Sequence, residues 1–239
     1  MKNLILILSI PLSSLTSAAS PSDSYTDLQS VANTFAESLG GMVDKKEVLT
    51  VEEVKSQISP LKRTQVELQP GAGRVLPPDE LYREALKSVV LVGRAYKCGR
   101  CSHWHENSAG GFVIHPDGYI ATNYHVVEGA SEKEGEGFGV RLPDGRVVPV
   151  KRIVATDRLN DLAVIQVEAG GLTPLRIADD IDIGDPVYVL SHPVGVFNTF
   201  TEGMGGEQQG HPFQPGQTQD ARAEHHRRLR QGIERPPRC

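Results

Sequence analysis

A histidine and an aspartate occupy positions at which they could act together on a proton. His125 follows the strand-like segment Tyr119 to Thr122 in "GYIATNYHVVEGA", and Asp161 directly precedes the strand-like "LAVIQV". A general base needs a partner that holds its imidazole in one tautomer, and a half-buried carboxylate can accept that hydrogen bond. The pair therefore suits proton transfer, although a solvated histidine and a strand-capping aspartate fit the same spacing.

A second group of reactive side chains lies in "YKCGRCSHWHENS", which holds Cys98, Cys101, His103 and His105. Thiolate and imidazole suit a tetrahedral zinc ion, but a closed structural site usually brings its second ligand pair from farther along the chain. Ser102 stands where haem attachment requires a histidine. A disulfide or reduced pair in a loop between strands is the favoured interpretation, with a metal site and redox chemistry as alternatives. We therefore predict no cofactor.

The segments that position these residues have the pattern of short strands. They are rich in Val and Ile, and two of the turns between them, "HPDG" at 115–118 and "LPDG" at 142–145, suit tight hairpins. The pattern predicts an all-β region that closes into a barrel or sandwich. The predicted strands are "SVVLVGRAY", "GFVI", "YIAT", "GVRL", "VVPVKRIVA", "LAVIQV", "LRI", "PVYVL" and "FNTFT".

The residues before the strands, 21–78, are predicted to form a helical extension and a linker. Apolar residues recur at helical spacing up to Gly40 and Gly41, which should end the first helix. Thr50 and Glu53 fit a capping box at the start of a second helix.

A domain boundary is predicted near residues 75–80. "QPGAGRVLPP" has the Pro and Gly content of a linker, and Asp79 is expected to cap a short third helix. The β-rich domain is then predicted to span residues 79–202.

Charge and the leader limit the partners and the location. The formal net charge of −5 leaves no chain-wide basic field, so nucleic acid is not expected as a partner. Residues 1–20 have one lysine, a short apolar run and small residues at 17–19, as a secretory signal peptide does. The run is too short to span a membrane. We expect export to the periplasm or the extracellular space.

Three segments together resemble the trypsin-like serine proteases of the HtrA (Deg) type. They are "SAGGFVIHPDGYIATNYHVVEGA", "DRLNDLAVIQVE" and "IGDPVYVLSHPVGVFNTFTEG". The resemblance implies a trypsin-like double β-barrel, with its first barrel present and its second incomplete. It also implies that His125 is the general base and that Asp161 orients it. One departure is His192, which stands where the family usually has an asparagine.

The resemblance also implies a serine nucleophile, which this sequence lacks. In the family that serine lies in a "GNSGGP"-like segment, whereas "GMGGEQQGHP" has the glycines without a serine. No serine follows Ser191, which matches a glycine of the family's turn. The expected function is thus that of a serine endopeptidase family member, acting on proteins or peptides, that is inactive as written. The alternatives are a non-catalytic exported peptide-binding protein and a metal-binding module centred on Cys98 and Cys101.

Residues 203–239 change character, being rich in Gly, Gln, Arg and Pro without a lysine. This composition predicts a disordered tail, because it offers little apolar surface to bury. A reading-frame slip is the favoured explanation, and it would account for Cys239. A natural low-complexity tail is the alternative. The sequence predicts no oligomeric state.

Overall fold

The computed structural model describes residues 27–58, 64–68, 75–129, 137–178, 182–192 and 198–206. The predicted signal peptide lies outside the described residues, as do part of the predicted linker and residues 207–239 of the predicted tail with Cys239. No helix within the described ranges is both long and apolar enough to cross a membrane.

Six antiparallel strands form a closed barrel in the order β1-β2-β3-β6-β5-β4. The barrel closes because β1 pairs with β2 along one edge and with β4 along the other. The prediction of an all-β fold with a first barrel is therefore confirmed. The strands are β1 (Val89–Lys97), β2 (Trp104–His115), β3 (Tyr119–Thr122), β4 (Gly137–Arg141), β5 (Val147–Asp157) and β6 (Leu162–Val167).

Alternating β-branched residues fill the barrel. Their side chains are almost wholly buried, since alternate residues along a regular strand point inward, and on β5 the register shifts between Val150 and Ala155 change which residues do so. Both predicted tight turns are present, with φ of +84° at Gly118 and +90° at Gly145. A Cβ on Gly118 would lie 2.1 Å from the Val167 carbonyl oxygen, so this turn requires glycine. The inward residues include Val90, Val92, Val113, Ile120, Phe138, Val140, Ile153 and Ile165.

Within the described ranges, four helices accompany the barrel: α1 (Leu28–Asp44), α2 (Val51–Gln57), α3 (Pro78–Ala85) and α4 (Tyr124–Glu128). Phe35 and Leu39 of α1 pack on Leu91 of β1 in a second buried cluster. The predicted capping box at the start of α2 is present. The predicted cap by Asp79 is wrong, because α3 begins one residue earlier with Pro78, whose fixed φ suits a first helical turn.

The prediction that Gly40 and Gly41 end the first helix is also wrong, because α1 continues to Asp44. Gly40 lies under the indole of Trp104, and a Cβ at this position would be 2.3 Å from the ring. The glycine therefore allows α1 to approach β2 closely. Gly41 has no such neighbour, since a Cβ there would meet no described atom within 4 Å.

This difference predicts opposite effects for two adjacent substitutions. Gly40→Ala should lower the free energy of unfolding by about 1–2 kcal/mol, because the clash with Trp104 exceeds the gain in helix propensity. Gly41→Ala should raise it by up to about 1 kcal/mol, since only the propensity gain applies. Urea denaturation of both variants measures the difference. Equal effects would mean that the indole does not press on Gly40.

After the barrel, β7 (Pro186–Ser191) and β8 (Thr199–Met204) form a two-stranded antiparallel sheet. Phe200 stacks on Tyr188 and also contacts Tyr82 of α3, which attaches this hairpin to the helix. The predicted strand "LRI" is wrong in extent, because only Ile177 makes a β-bridge. The segment is attached to the barrel by a hydrogen bond that the Leu175 N–H donates to the Val113 carbonyl of β2.

Glu106 of β2 is a carboxylic acid in an unfavourable setting. Its Oε2 is buried and finds no hydrogen-bond partner among the described residues. Burial raises the pKa of Glu106 above its ordinary value of 4.5, and a hydrogen bond with Ser108 only partly opposes this. The folded protein therefore retains a proton at a pH at which the unfolded chain has lost it.

Stability should consequently fall as pH rises from the ordinary pKa of Glu106 through its raised pKa in the folded state. Glu106→Gln should remove this fall, because the amide does not ionise. Urea midpoints measured at several pH values from about 4 to about 8 test the prediction. Glu37→Gln, on the exposed side of α1, is the control and should keep the native pH dependence. Parallel profiles for the native protein and Glu106→Gln would contradict it.

Candidate active site

His125 is the second residue of α4, the single helical turn that follows β3. The chain turns at Asn123, whose backbone is extended, and the first helical N–H, of Tyr124, donates to the Asp161 carbonyl at 3.1 Å. Val127 of the same turn is fully buried in the barrel core. The helix is therefore anchored by its apolar side, while the His125 side chain remains about half exposed.

Asp161 lies in the turn between β5 and β6, immediately before Leu162. Its φ of +55° is left-handed, an uncommon conformation for a residue other than glycine but one that aspartate tolerates. Asp157 braces the turn by accepting hydrogen bonds from the backbone N–H groups of Leu159 and Asn160. The strained backbone points the carboxylate at α4, and such strain often accompanies functional sites.

The two predicted site residues are in direct contact. His125 Nδ1 lies 2.8 Å from one carboxylate oxygen of Asp161 and 3.1 Å from the other. The backbone N–H of His125 also donates to Asp161, at 3.0 Å, and the Asn123 side-chain amide donates to the same residue. A carboxylate against Nδ1 favours the tautomer with the proton on that atom, which leaves the Nε2 lone pair available. The ring is thus oriented to accept a proton at Nε2.

Arg94 supports this arrangement from inside the barrel and was not identified from the sequence. Its Nη2 donates to the backbone carbonyls of Val126 and Val127, at 2.9 and 2.6 Å, and its guanidinium lies over the Phe138 ring. The side chain is only 8% exposed. The one available signal was a charged residue within the apolar "SVVLVGRAY". Arg94 thereby fixes the helical turn that carries His125.

His192 and Asn198, at the facing ends of β7 and β8, contact each other beside Gly110 of β2. His192 lies 3.7 Å from the position of a Cβ on Gly110, and its Nδ1 accepts a hydrogen bond from the Asn198 N–H. Burial lowers the pKa of His192, which disfavours its charged form. Within the described ranges, neither Ser191 nor any other serine makes a hydrogen bond to the His125 ring.

The cysteine and histidine group is only partly assembled as predicted. Cys98 and Cys101 are not joined in a disulfide, their sulfurs being 3.4 Å apart, and His105 Nε2 lies 3.0 Å from Cys101 Sγ. His103 is not part of this group, because only its backbone carbonyl approaches Cys101. The structure therefore brings together three of the four predicted ligands.

The family model and the relatives described below are all named as peptidases or serine proteases. The family model described as a trypsin-like peptidase domain matches residues 109–230, which runs into the segment predicted to be a tail. A protein of Halomonas elongata named probable periplasmic serine endoprotease DegP-like is 40% identical over 96 residues, covering 39% of this chain and 19% of that protein. The putative serine protease HhoA of Synechocystis is 38% identical over 98 residues, covering 39% of this chain and 23% of that protein.

A longer match is to the DegP-like protein of Pseudomonas fulva, also named a probable periplasmic serine endoprotease. It is 33% identical over 132 residues, covering 54% of this chain and 26% of that protein. The chain thus spans about a fifth to a quarter of the length of these relatives.

Proposed function

Because the chain belongs to the trypsin-like peptidase family, of the HtrA type, we propose that it is a serine endopeptidase homologue built around His125 and Asp161. His125 is the general base and Asp161 its orienting partner. The observation that carries this proposal is the hydrogen bond between His125 Nδ1 and the Asp161 carboxylate. His125 follows β3 and Asp161 precedes β6, and the pairing of these two strands brings the residues together. The substrates are proteins or peptides.

The proton transfer follows from the orientation of the ring. With Asp161 on Nδ1, the Nε2 atom of His125 can take the proton of a serine hydroxyl as its Oγ attacks a peptide carbonyl. Asp161 then stabilises the imidazolium that forms and keeps the ring from rotating. The same Nε2 returns the proton to the leaving amine.

We further propose that this chain, as written, does not turn over. No serine follows Ser191 in the sequence, and within the described ranges no serine hydroxyl contacts the His125 ring. A triad without its nucleophile retains only the small rate enhancement that binding and oxyanion stabilisation supply.

Fluorescently labelled casein tests the proposal. The full chain and its His125→Ala variant should both cleave casein at the rate of a buffer blank, because neither can form an acyl-enzyme. Cleavage that His125→Ala abolishes would mean that another nucleophile operates. Peptide binding with a measurable Kd but no turnover would instead favour the non-catalytic peptide-binding alternative.

We also propose that the protein is exported, to the periplasm or the extracellular space. The leader-like residues 1–20 and the periplasmic relatives support this location. Mass spectrometry of the mature chain tests it, and a sole form that retains Met1 would contradict it.

A further inference from the structure

The connection between β1 and β2 brings three soft metal-ligating atoms to one point. The ligand atoms of Cys98, Cys101 and His105 all lie within 4.8 Å of one another. Two of the three separations are shorter still, 3.4 Å between the sulfurs and 3.0 Å from Cys101 Sγ to His105 Nε2. All three residues are half-buried, so an ion can reach them from solvent.

These separations are close to those of a tetrahedral zinc site. Zinc bonds of about 2.3 Å to sulfur and about 2.0 Å to nitrogen place two sulfurs about 3.8 Å apart, and a sulfur and a nitrogen about 3.5 Å apart. The two shorter distances need to open by only about half an ångström to admit the ion, and the third, which lies within 4.8 Å, needs to be about 3.5 Å. Side-chain rotation suffices for such a change.

The surrounding backbone holds the ligands in place. Gly99, with φ of +73°, lets the short "CGRC" loop turn both thiols to the same side. The Arg100 N–H donates to Cys98 Sγ at 3.4 Å, which helps to fix the position of that sulfur. The His105 ring stacks on Tyr96, its partner in the strand register, so its orientation is fixed as well.

We propose that Cys98, Cys101 and His105 bind one zinc ion, with water at the fourth tetrahedral position. Two thiolates and one imidazole suit zinc and do not suit calcium or magnesium, which take oxygen ligands. This site is separate from the His125–Asp161 pair and does not depend on the proposed peptidase function.

Zinc here would secure the end of the β1–β2 hairpin. Lys97 and Trp104 form the last pair of that ladder, and the Trp104 indole packs on Gly40 of α1. A ligand that binds only the folded form stabilises it, so zinc should raise the thermal unfolding temperature. Trp104 is the one tryptophan in the chain, so its fluorescence reports on this end of the hairpin.

Cobalt(II) titration of the reduced, metal-stripped full chain tests the site. Every variant should carry Cys239→Ser, which removes the third thiol of the sequence. We expect a thiolate-to-cobalt charge-transfer band, the intense visible bands of tetrahedral cobalt, and their loss on addition of one equivalent of zinc. Cys101→Ser and His105→Ala should each weaken zinc binding by about a hundredfold or more. This exceeds the usual effect of losing a residue that only hydrogen-bonds to a metal ligand. His103→Ala is the matched control and should bind within about twofold of the parent.

Far-ultraviolet circular dichroism of each metal-stripped variant separates loss of a ligand from loss of the fold. Variants that keep the parent spectrum and lose the cobalt bands would support the site, and Cys98→Ser provides a second ligand variant if His105→Ala does not fold. Absence of a charge-transfer band in the reduced parent would overturn the proposal. So would binding that His105→Ala leaves unchanged, or that His103→Ala weakens equally.

Discussion

Joining residues 1–202 to the second-barrel segment of a family member that carries a "GNSGGP"-like loop is expected to create casein hydrolysis. The rate should exceed that of the unmodified chain by up to about 10⁶-fold, since the nucleophile and the base of a triad act as a unit. The proposed general base is already oriented here, with His125 Nδ1 bonded to Asp161 at 2.8 Å. In the proposed mechanism, the added segment supplies the nucleophile and its oxyanion donors.

Three variants of this chimera distinguish the proposed base from other histidines. His125→Ala should return hydrolysis to background, and Asp161→Asn should lower kcat by about 10⁴-fold because it favours the wrong tautomer. His115→Ala is the control, since that histidine bonds to the neighbouring Asp117 N–H and lies away from the pair. It should leave the rate unchanged. Hydrolysis that persists in His125→Ala would show that the base is elsewhere.

The His125–Asp161 contact was predictable because both residues adjoin strands with a strong sequence signal. β3 and β6 are short apolar runs next to clear turns, and they pair directly, Thr122 opposite Ala163. Residues that lie just beyond the paired ends of neighbouring strands are necessarily close in space. Local pattern and strand pairing together therefore determine this part of the site.

The group of Cys98, Cys101 and His105 was less predictable, because it depends on how β1 and β2 pair. The polar residues from Trp104 onward carry no strand pattern, yet they pair with β1 along its whole length. That pairing sets His105 opposite Tyr96 and near the thiols, whereas His103 remains in the turn. Spacing in the sequence could not separate the two histidines, because residues two apart share a face of a strand, and only the start of β2 at Trp104 leaves His103 outside the ladder.

The predicted end of α1 at Gly40 and Gly41 is wrong for a related reason. Two consecutive glycines ordinarily end a helix, since each costs about 1 kcal/mol relative to alanine. Contact with the Trp104 indole overrides this local preference, because it buries a large aromatic ring against α1. Such a contact between distant segments leaves no local signal.

The role of Arg94 leads to the second large expected effect. Arg94 shares a face of β1 with Val90 and Val92, so its guanidinium lies within the barrel and beneath α4. Arg94→Met keeps the length of the side chain but leaves the carbonyls of α4 without their donor. Each buried acceptor that loses its partner costs about 1–3 kcal/mol, so we expect the free energy of unfolding to fall by about 2–4 kcal/mol.

The same substitution should also separate a positioning role from a purely structural one. In the active chimera, Arg94→Met is expected to lower kcat by about tenfold or more with little change in KM, because α4 no longer holds His125 in line with the nucleophile. Arg152→Met is the matched control, since Arg152 is exposed and bonds to Gln166 on the outer surface of the barrel. Its effect on stability should stay within about 0.5 kcal/mol and its effect on kcat should be negligible. If Arg94→Met and Arg152→Met change stability and kcat alike, then the bonds from Arg94 to Val126 and Val127 do not position the base.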